Sequence, residues 1–173
     1  VGYISSTVRQ TPGDRLVTEL VSDREGARLF PMGRLDKDSE GLILLTDDGE
    51  LMDRVLRSRY GHEKEYRVGL DCTITDDIIK EIAAGGIDIG EERRTKPCKV
   101  KRLAPDRVSI ILTEGMNREI RRIFEIYDMG VSSLCRVRFL NITLDGLRPG
   151  ESRRLTEDEI KKMKEGAFLK EGL

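Results

Sequence analysis

Asp36 is the residue best placed by its neighbours to do chemistry. It lies in Gly33-Arg34-Leu35-Asp36-Lys37-Asp38-Ser39-Glu40, a charged and hydroxylic stretch that runs into the apolar Leu42–Leu45 and then Thr46-Asp47-Asp48-Gly49. So short an apolar run, bounded by Gly41 and a turn, predicts a strand over 41–46 buried on both faces. The charged loop is then tethered directly to the core. A carboxylate on such a loop can be held still, as catalysis requires. Arg34 and Lys37 flank Asp36 and favour its ionised form. An aspartate with an ordinary pKa of about 3.9 is ready at neutral pH as a nucleophile or a base.

Two other readings of this stretch compete. The plainest is a solvated connection between elements. The other is a calcium loop, since Asp36, Asp38, Glu40, Gly41, Ile43 and Asp47 fall at positions 1, 3, 5, 6, 8 and 12 of an EF-hand. That match is weakened by Phe30-Pro31-Met32-Gly33 where a helix should enter, by a strand inside the loop, and by aspartate where the last ligand is normally the longer glutamate.

Elsewhere the chemistry-bearing residues are basic or aromatic. Arg93, Arg94, Lys96, Lys99, Lys101 and Arg102 crowd one segment, and Arg118, Arg121, Arg122, Arg136 and Arg138 crowd another. Net charge is only −1, so distribution rather than the sum would have to produce a nucleic-acid surface. Ordinary solvated faces remain the alternative for both clusters. Tyr66 sits among alternating strand residues and could simply be core, with a phenol in need of a partner.

Charged residues make up 36% of the chain, no apolar run approaches a membrane span, and no signal peptide is visible. A soluble cytoplasmic protein without membrane association is expected. Cys72, Cys98 and Cys135 are scattered, odd in number and free of metal-ligand spacing, which argues for a reducing compartment and against disulfides and zinc. His62, the single histidine, reads as a strand-end contact. Neither metal nor cofactor is expected, and a monomer is the default.

At 173 residues, with no repeat or linker, the chain reads as one domain over 1–173. Strands are predicted at 3–5, 41–46, 64–70, 98–103, 107–113 and 131–144. Helices are predicted at 48–57, 75–84, 118–127 and 157–164. In the third helix Ile120, Ile123, Phe124 and Tyr127 form one apolar stripe. Thr156 and Glu159 form a capping box for the last, and Gly166 suits its end. Strands and helices that do not alternate strictly predict an α+β domain with a mixed or antiparallel sheet.

Several of these segments, in order, resemble the motifs of the pseudouridine synthases, nearest to the branch that modifies ribosomal RNA. Gly33-Arg34-Leu35-Asp36 with Lys37–Leu42 is similar to the family's catalytic motif. His62-Glu63-Lys64-Glu65-Tyr66 resembles its Lys-x-Tyr strand, Glu114–Arg122 its third motif, and Leu134-Cys135-Arg136-Val137-Arg138 the strand after that. The series, with Lys96–Lys101 and Phe139–Leu144, looks most like the F-type large-subunit enzymes. Met116 and Glu119 depart from it, standing where lysine and glutamine are common, as does Phe139-Leu140 in place of Ile-Gly.

The resemblance implies a bent, mixed, largely antiparallel sheet with flanking helices and a central cleft. It implies conversion of uridine to pseudouridine in RNA by base flipping and without a cofactor, with 23S ribosomal RNA the expected partner and tRNA the alternative. It implies Asp36 as the catalytic aspartate, Arg121 as the arginine paired with it, and Tyr66 as the tyrosine stacked on the target uracil. Leu134 would pack on that base, and Arg34 would enter the space left by the flipped nucleotide. Lys64, Arg118 and Arg122 complete the expected substrate contacts. Asp38 and Glu40 are expected to hold backbone or cations. A non-catalytic RNA-binding module stays open beside this. The opening at Val1-Gly2-Tyr3-Ile4-Ser5 is mid-strand in character, and by resemblance a small S4-type RNA-binding domain is expected upstream.

Overall fold

The computed structural model describes residues 1–21, 26–57, 61–90 and 93–168. Among them the main sheet runs β10-β9-β6-β8-β7, formed by β6 (Lys64–Leu70), β7 (Lys99–Ala104), β8 (Arg107–Leu112), β9 (Val131–Phe139) and β10 (Ile142–Thr143). These strands pair antiparallel, while the short β4 (Glu40–Gly41) adds to β9 in parallel. Two small pairs stand apart: β1 (Tyr3–Ile4) with β2 (Arg15–Leu16), parallel, and β3 (Phe30–Met32) with β5 (Leu44–Thr46), antiparallel. The α+β class and the mixed sheet follow the sequence reading.

Four helices start where the sequence supplies caps or turns. Asp48 caps α1 (Gly49–Leu56) by accepting from the Leu51 amide at 2.9 Å, and Thr75 caps α2 (Asp76–Ala84) by accepting from Ile78 at 3.3 Å. α4 (Glu157–Phe168) opens on the expected capping box, with the Thr156 amide donating to Glu159 at 2.8 Å and the Glu159 amide to the Thr156 hydroxyl at 3.2 Å. It runs past Gly166, because Met163 and Ala167 are buried and hold the last turn. α3 (Glu119–Glu125) instead follows Arg118 in a left-handed conformation, φ 50°.

Burial falls into two clusters. One joins Val68, Val108, Ile110 and Leu134 of the sheet to Ile82 of α2 and Ile120, Ile123 and Phe124 of α3. The other joins Met32, Leu42, Leu44, Phe139 and Ile142 to Leu51 and Val55 of α1 and Met163 of α4. At about 25 cal/mol per Å² of apolar area, these stripes and strand faces are what hold helices and sheet together.

The structure departs from the sequence reading at three turns. The strand expected at 41–46 is two: β4 belongs to β9, β5 to β3, and buried Leu42 bridges them by donating its amide to the Arg136 carbonyl at 2.7 Å. The strand expected at 131–144 breaks at Leu140, φ 53°. β1 lies within the strand expected at 3–5, but its partner β2, the strand β3 and a 3-10 turn at Val17–Leu20 were not expected; strands of two or three residues carry too little period to read.

Candidate active site

The loop 33–39 crosses one end of the sheet and faces the loop 114–118 that leads into α3. Between them lies a cleft of about 240 Å³, walled by Gly33–Asp36 and Ser39 on one side and Glu114–Ile120 on the other, with Lys64, Tyr66, Leu134 and Arg136 as its floor. Tyr66 and Arg136 are register partners across β6 and β9, as are Val68 and Leu134. A one-residue bulge makes this so. Glu65 faces Arg138 but Tyr66 faces Arg136, so Val137 is extra and the alternation of β9 is reset. Without it Val137 would lie opposite Tyr66; a bulge beside a site re-aims a side chain in this way.

Asp36 stands at the lip, with its side chain about one-third exposed (32%). Its loop is fastened by backbone: the Ser39 amide donates to the Asp36 carbonyl at 2.9 Å, the Leu35 amide to Ser5 Oγ at 3.0 Å, and the Gly2 amide to the Lys37 carbonyl at 2.8 Å. The nearest cation is Arg118, whose Nη1 lies 3.9 Å from Asp36 Oδ2. Lys37 turns away to Asp14 at 3.3 Å.

The expected ion pair between Asp36 and Arg121 is not formed. Arg121 reaches Asp38 Oδ2 at 3.2 Å, the Asp38 carbonyl at 3.1 Å and the Val131 carbonyl at 3.1 Å, and it does not line the cleft. Arg118 grips the same Asp38 with both terminal nitrogens, at 3.3 and 3.2 Å. The physical reason is the left-handed turn at Arg118, which throws that side chain over the loop and leaves Arg121, one turn along α3, behind it. Against the cost of its partial burial, these two guanidiniums hold Asp38 below the usual carboxylate range. Asp38 thus binds cations, as the sequence reading had it.

Burial raises the Tyr66 phenol above its ordinary value, against the nearby Arg136 guanidinium. Burial likewise lowers Lys64, with Arg136 adding to the effect; its ammonium lies 3.5 Å from the Glu114 carbonyl and over the Phe139 ring at 5.4 Å. Arg34 is exposed and lines the cleft. It also lines a second hollow of about 390 Å³ beyond Asp36, shared with Ser5, Ser6, Gln10 and Thr11. Arg122 points elsewhere, to the Asn117 side chain at 3.4 Å. The segment carrying Lys96–Arg102 lies outside the cleft; Lys99 and Arg102 pair with Glu63 and Asp76. Among the described residues Asp36, Asp38, Glu40 and Asp47 do not gather into a group able to hold a metal ion, and the segment that enters the stretch is the strand β3, where an EF-hand needs a helix.

Residues 2–125 match the sequence profile of the family described as RNA pseudouridylate synthase. The chain belongs to this family. It is 48% identical over 161 residues to the dual-specificity RNA pseudouridine synthase RluF of Salmonella typhi, covering 92% of this chain and 53% of that protein. It thus spans about half the length of that relative. An uncharacterized RNA pseudouridine synthase of Aquifex aeolicus is 38% identical over 94% of this chain and 68% of its own. A solved pseudouridylate synthase superposes with a TM-score of 0.86 at 31% identity, over 94% of this chain and 69% of that one.

Of the expected site residues, the cleft gathers Asp36, Arg34, Lys64, Tyr66, Arg118 and Leu134, and leaves out Arg121 and Arg122. Arg136 was missed. It is almost wholly buried at 1% exposure, donates from Nε to the Leu42 carbonyl at 2.7 Å and from Nη1 to the Arg34 carbonyl at 3.4 Å, and keeps Nη2 without a hydrogen bond. The signal was present: Arg136 lies two residues from Leu134 and shares its inward face. Glu114 and Glu119, both buried in the cleft wall, were missed as well.

Proposed function

We propose that this chain isomerises uridine to pseudouridine in RNA, with Asp36 as the working carboxylate. The observation that carries the proposal is the Asp36 side chain, partly exposed at the lip of a cleft whose floor offers a phenol and a leucine face. The reaction breaks the bond between N1 and the ribose C1′, turns the base, and joins C5 to C1′. The proton on C5 is lost and N1 regains one, so no electrons change hands. The separated fragments need a partner, which an aspartate provides by attack on the sugar or by taking a proton.

In this reading the target base leaves its helix, because the glycosidic bond cannot be reached inside one. It enters above Tyr66, which stacks on it, and against Leu134. Arg34, exposed at the entrance, fills the vacated space. Arg118 steadies Asp36 across 3.9 Å and, with Lys64, meets the negative substrate. Arg122, outside the cleft, is assigned to phosphate along the approach, and Arg121 acts on Asp36 only through Asp38.

Large-subunit ribosomal RNA is the proposed substrate, supported by the motif series; the 48% identity to a protein named as a dual-specificity RNA pseudouridine synthase leaves room for a second RNA, and tRNA is the second candidate. Among the described residues no helix is long and apolar enough to cross a membrane, and we infer action in the cytoplasm. The test is to treat unmodified ribosomal RNA and tRNA with the protein and map pseudouridines by chemical probing. New sites that vanish with Asp36→Asn support the proposal. An RNA that binds and stays unmodified would favour a binding module instead.

A further inference from the structure

We propose that Glu119 is a positioning residue for this isomerisation: one proton shared between the buried carboxyls of Glu119 and Glu114 fastens the loop that carries Arg118 against the cleft. The inference rests on the pseudouridine synthase reading for its consequence, and on geometry for its cause.

Glu114 and Glu119 are 5% and 4% exposed. Glu119 Oε2 accepts from the Met116 amide at 3.0 Å, closing the loop on itself. Glu114 Oε1 accepts from the Lys96 amide at 2.6 Å, fixing the loop to the neighbouring segment. Glu119 Oε1 is buried without a hydrogen-bond partner, and the neighbouring Glu114 carboxyl raises the Glu119 carboxyl beyond what burial does. Two carboxylates have only acceptors, so a bond between them requires one proton. Neither carboxyl has an ion-pair partner among the described residues; Lys64 turns its ammonium to the Glu114 carbonyl instead. A proton shared between them satisfies two buried acids without like-charge repulsion.

Burial, with the neighbouring Glu114, raises Glu119 to about 7. Lys64 and Tyr66 face the pair from β6, Cys98 from the segment before β7, and Arg136 from β9. The Lys64 ammonium favours ionisation of Glu119 but does not prevail. Cys98, pushed up to about 11 by burial and by both glutamates, stays neutral. The consequence lies at Arg118. Its left-handed backbone, φ 50°, is a conformation that persists only when the surroundings impose it. When the proton leaves, two adjoining carboxylates repel, the loop slackens, and Arg118 withdraws from Asp36 and Asp38.

Single-turnover isomerisation, followed by tritium release from RNA labelled at uridine C5, decides the matter across pH 6 to 9. The wild-type rate should fall roughly fivefold between about pH 7 and pH 8, as for an acid needed in its protonated form. Glu119→Gln, whose amide donates to Glu114 without a titrating proton, should lack this limb, and so should Glu114→Gln, which donates from the other side. A limb belonging to Lys64 would survive in both. Glu119→Ala should be slow at every pH. Carbon NMR of the glutamate carboxyls should show one titration near neutrality in the wild type and none there in Glu119→Gln. Identical pH profiles in wild type and both glutamine variants, or no carboxyl titrating above about pH 6, would overturn the proposal. If no RNA releases tritium, the isomerase reading fails, and the carboxyl titration alone still decides whether the proton is shared.

Discussion

Gly41→Ala should cost far more than one methyl group suggests. Gly41 sits at φ +109°, and an added Cβ would fall 2.6 Å from the Arg136 amide nitrogen and closer still to its carbonyl oxygen. The obstacle is backbone in the middle of β9, so no side chain can swing aside. The left-handed conformation alone costs a residue with a Cβ on the order of 1–3 kcal/mol. To clear the clash β4 must leave β9, which stretches the 2.7 Å bond from the Leu42 amide to the Arg136 carbonyl and the 2.7 Å bond from Arg136 Nε to the Leu42 carbonyl. Those add about 1 kcal/mol for the neutral bond and about 1.5–3 kcal/mol for the charge-assisted one.

The sum is about 4 kcal/mol or more, a large share of the roughly 5–15 kcal/mol that holds a domain of this kind together. Urea unfolding followed by circular dichroism measures it, read as a lower midpoint at unchanged slope. Gly115→Ala is the matched control, with no atom within 4 Å of its Cβ and no positive φ, and should stay near wild type. Because Gly41 anchors the loop that presents Asp36, turnover measured well below the midpoint should fall too. A Gly41→Ala protein within about 1 kcal/mol of wild type would refute the close approach of β4 to β9 and the tether drawn from it.

Asp36→Asn should abolish isomerisation while leaving RNA affinity and the urea midpoint nearly unchanged, since the amide keeps the shape and loses the charge; substantial turnover would remove Asp36 from its role. Arg118→Ala should lower turnover with a stability loss below about 1 kcal/mol, because its ion pairs are solvent-exposed, whereas Arg121→Ala should cost about 1.5–3 kcal/mol through its lost bonds to Asp38 and Val131; the reverse order in urea would contradict the observed pairing. Glu119 keeps its proton to about 7 in the folded chain against an ordinary 4.5, so the native state binds more protons than the unfolded one in that window. Stability should therefore fall as pH rises from about 4.5 to 7, by at most about 3 kcal/mol relative to Glu119→Gln; parallel stability curves would contradict the raised value. Thr156→Ala should cost about 1 kcal/mol by removing the cap of α4, and no change in the thermal midpoint would count against that cap.

The parts of the fold that were legible in the sequence are those with enough residues to show a period. β6 spans Lys64–Leu70 as expected, and α3 buries Ile120, Ile123 and Phe124 from its expected stripe. What stayed hidden depends on contacts between distant segments. Leu42–Leu45 is buried as its composition says, but nothing local reveals that Leu42 serves β9 while Leu44 serves β3. Arg136 and Arg138 look equivalent, two residues apart on one strand. The bulge at Val137 sends Arg136 to the cleft and Arg138 to Glu63 and Glu65, at 2.9 and 3.1 Å. Which arginine of α3 lies nearest Asp36 was likewise unreadable, because it turns on one left-handed residue.

The same contacts explain how a chain of net charge −1 can present a site suited to a polyanion. Around the loop 33–39 stand Arg34, Arg118, Arg121 and Arg136, against Asp36 and Asp38. Asp38 is spent on holding Arg118 and Arg121, and Arg136 is spent on the carbonyls of Leu42 and Arg34. Each of these charges serves mainly to fix backbone or a neighbouring side chain, and together they brace the loop from the α3 side and from β9, while Ser5 and Gly2 brace it from the third. What is left facing outward is one carboxylate, Asp36, beneath an excess of positive charge. A local excess of this sign raises the concentration of a negative partner at the cleft even when the protein as a whole is neutral. Asp36 can stay partly exposed there because the bracing is done by others.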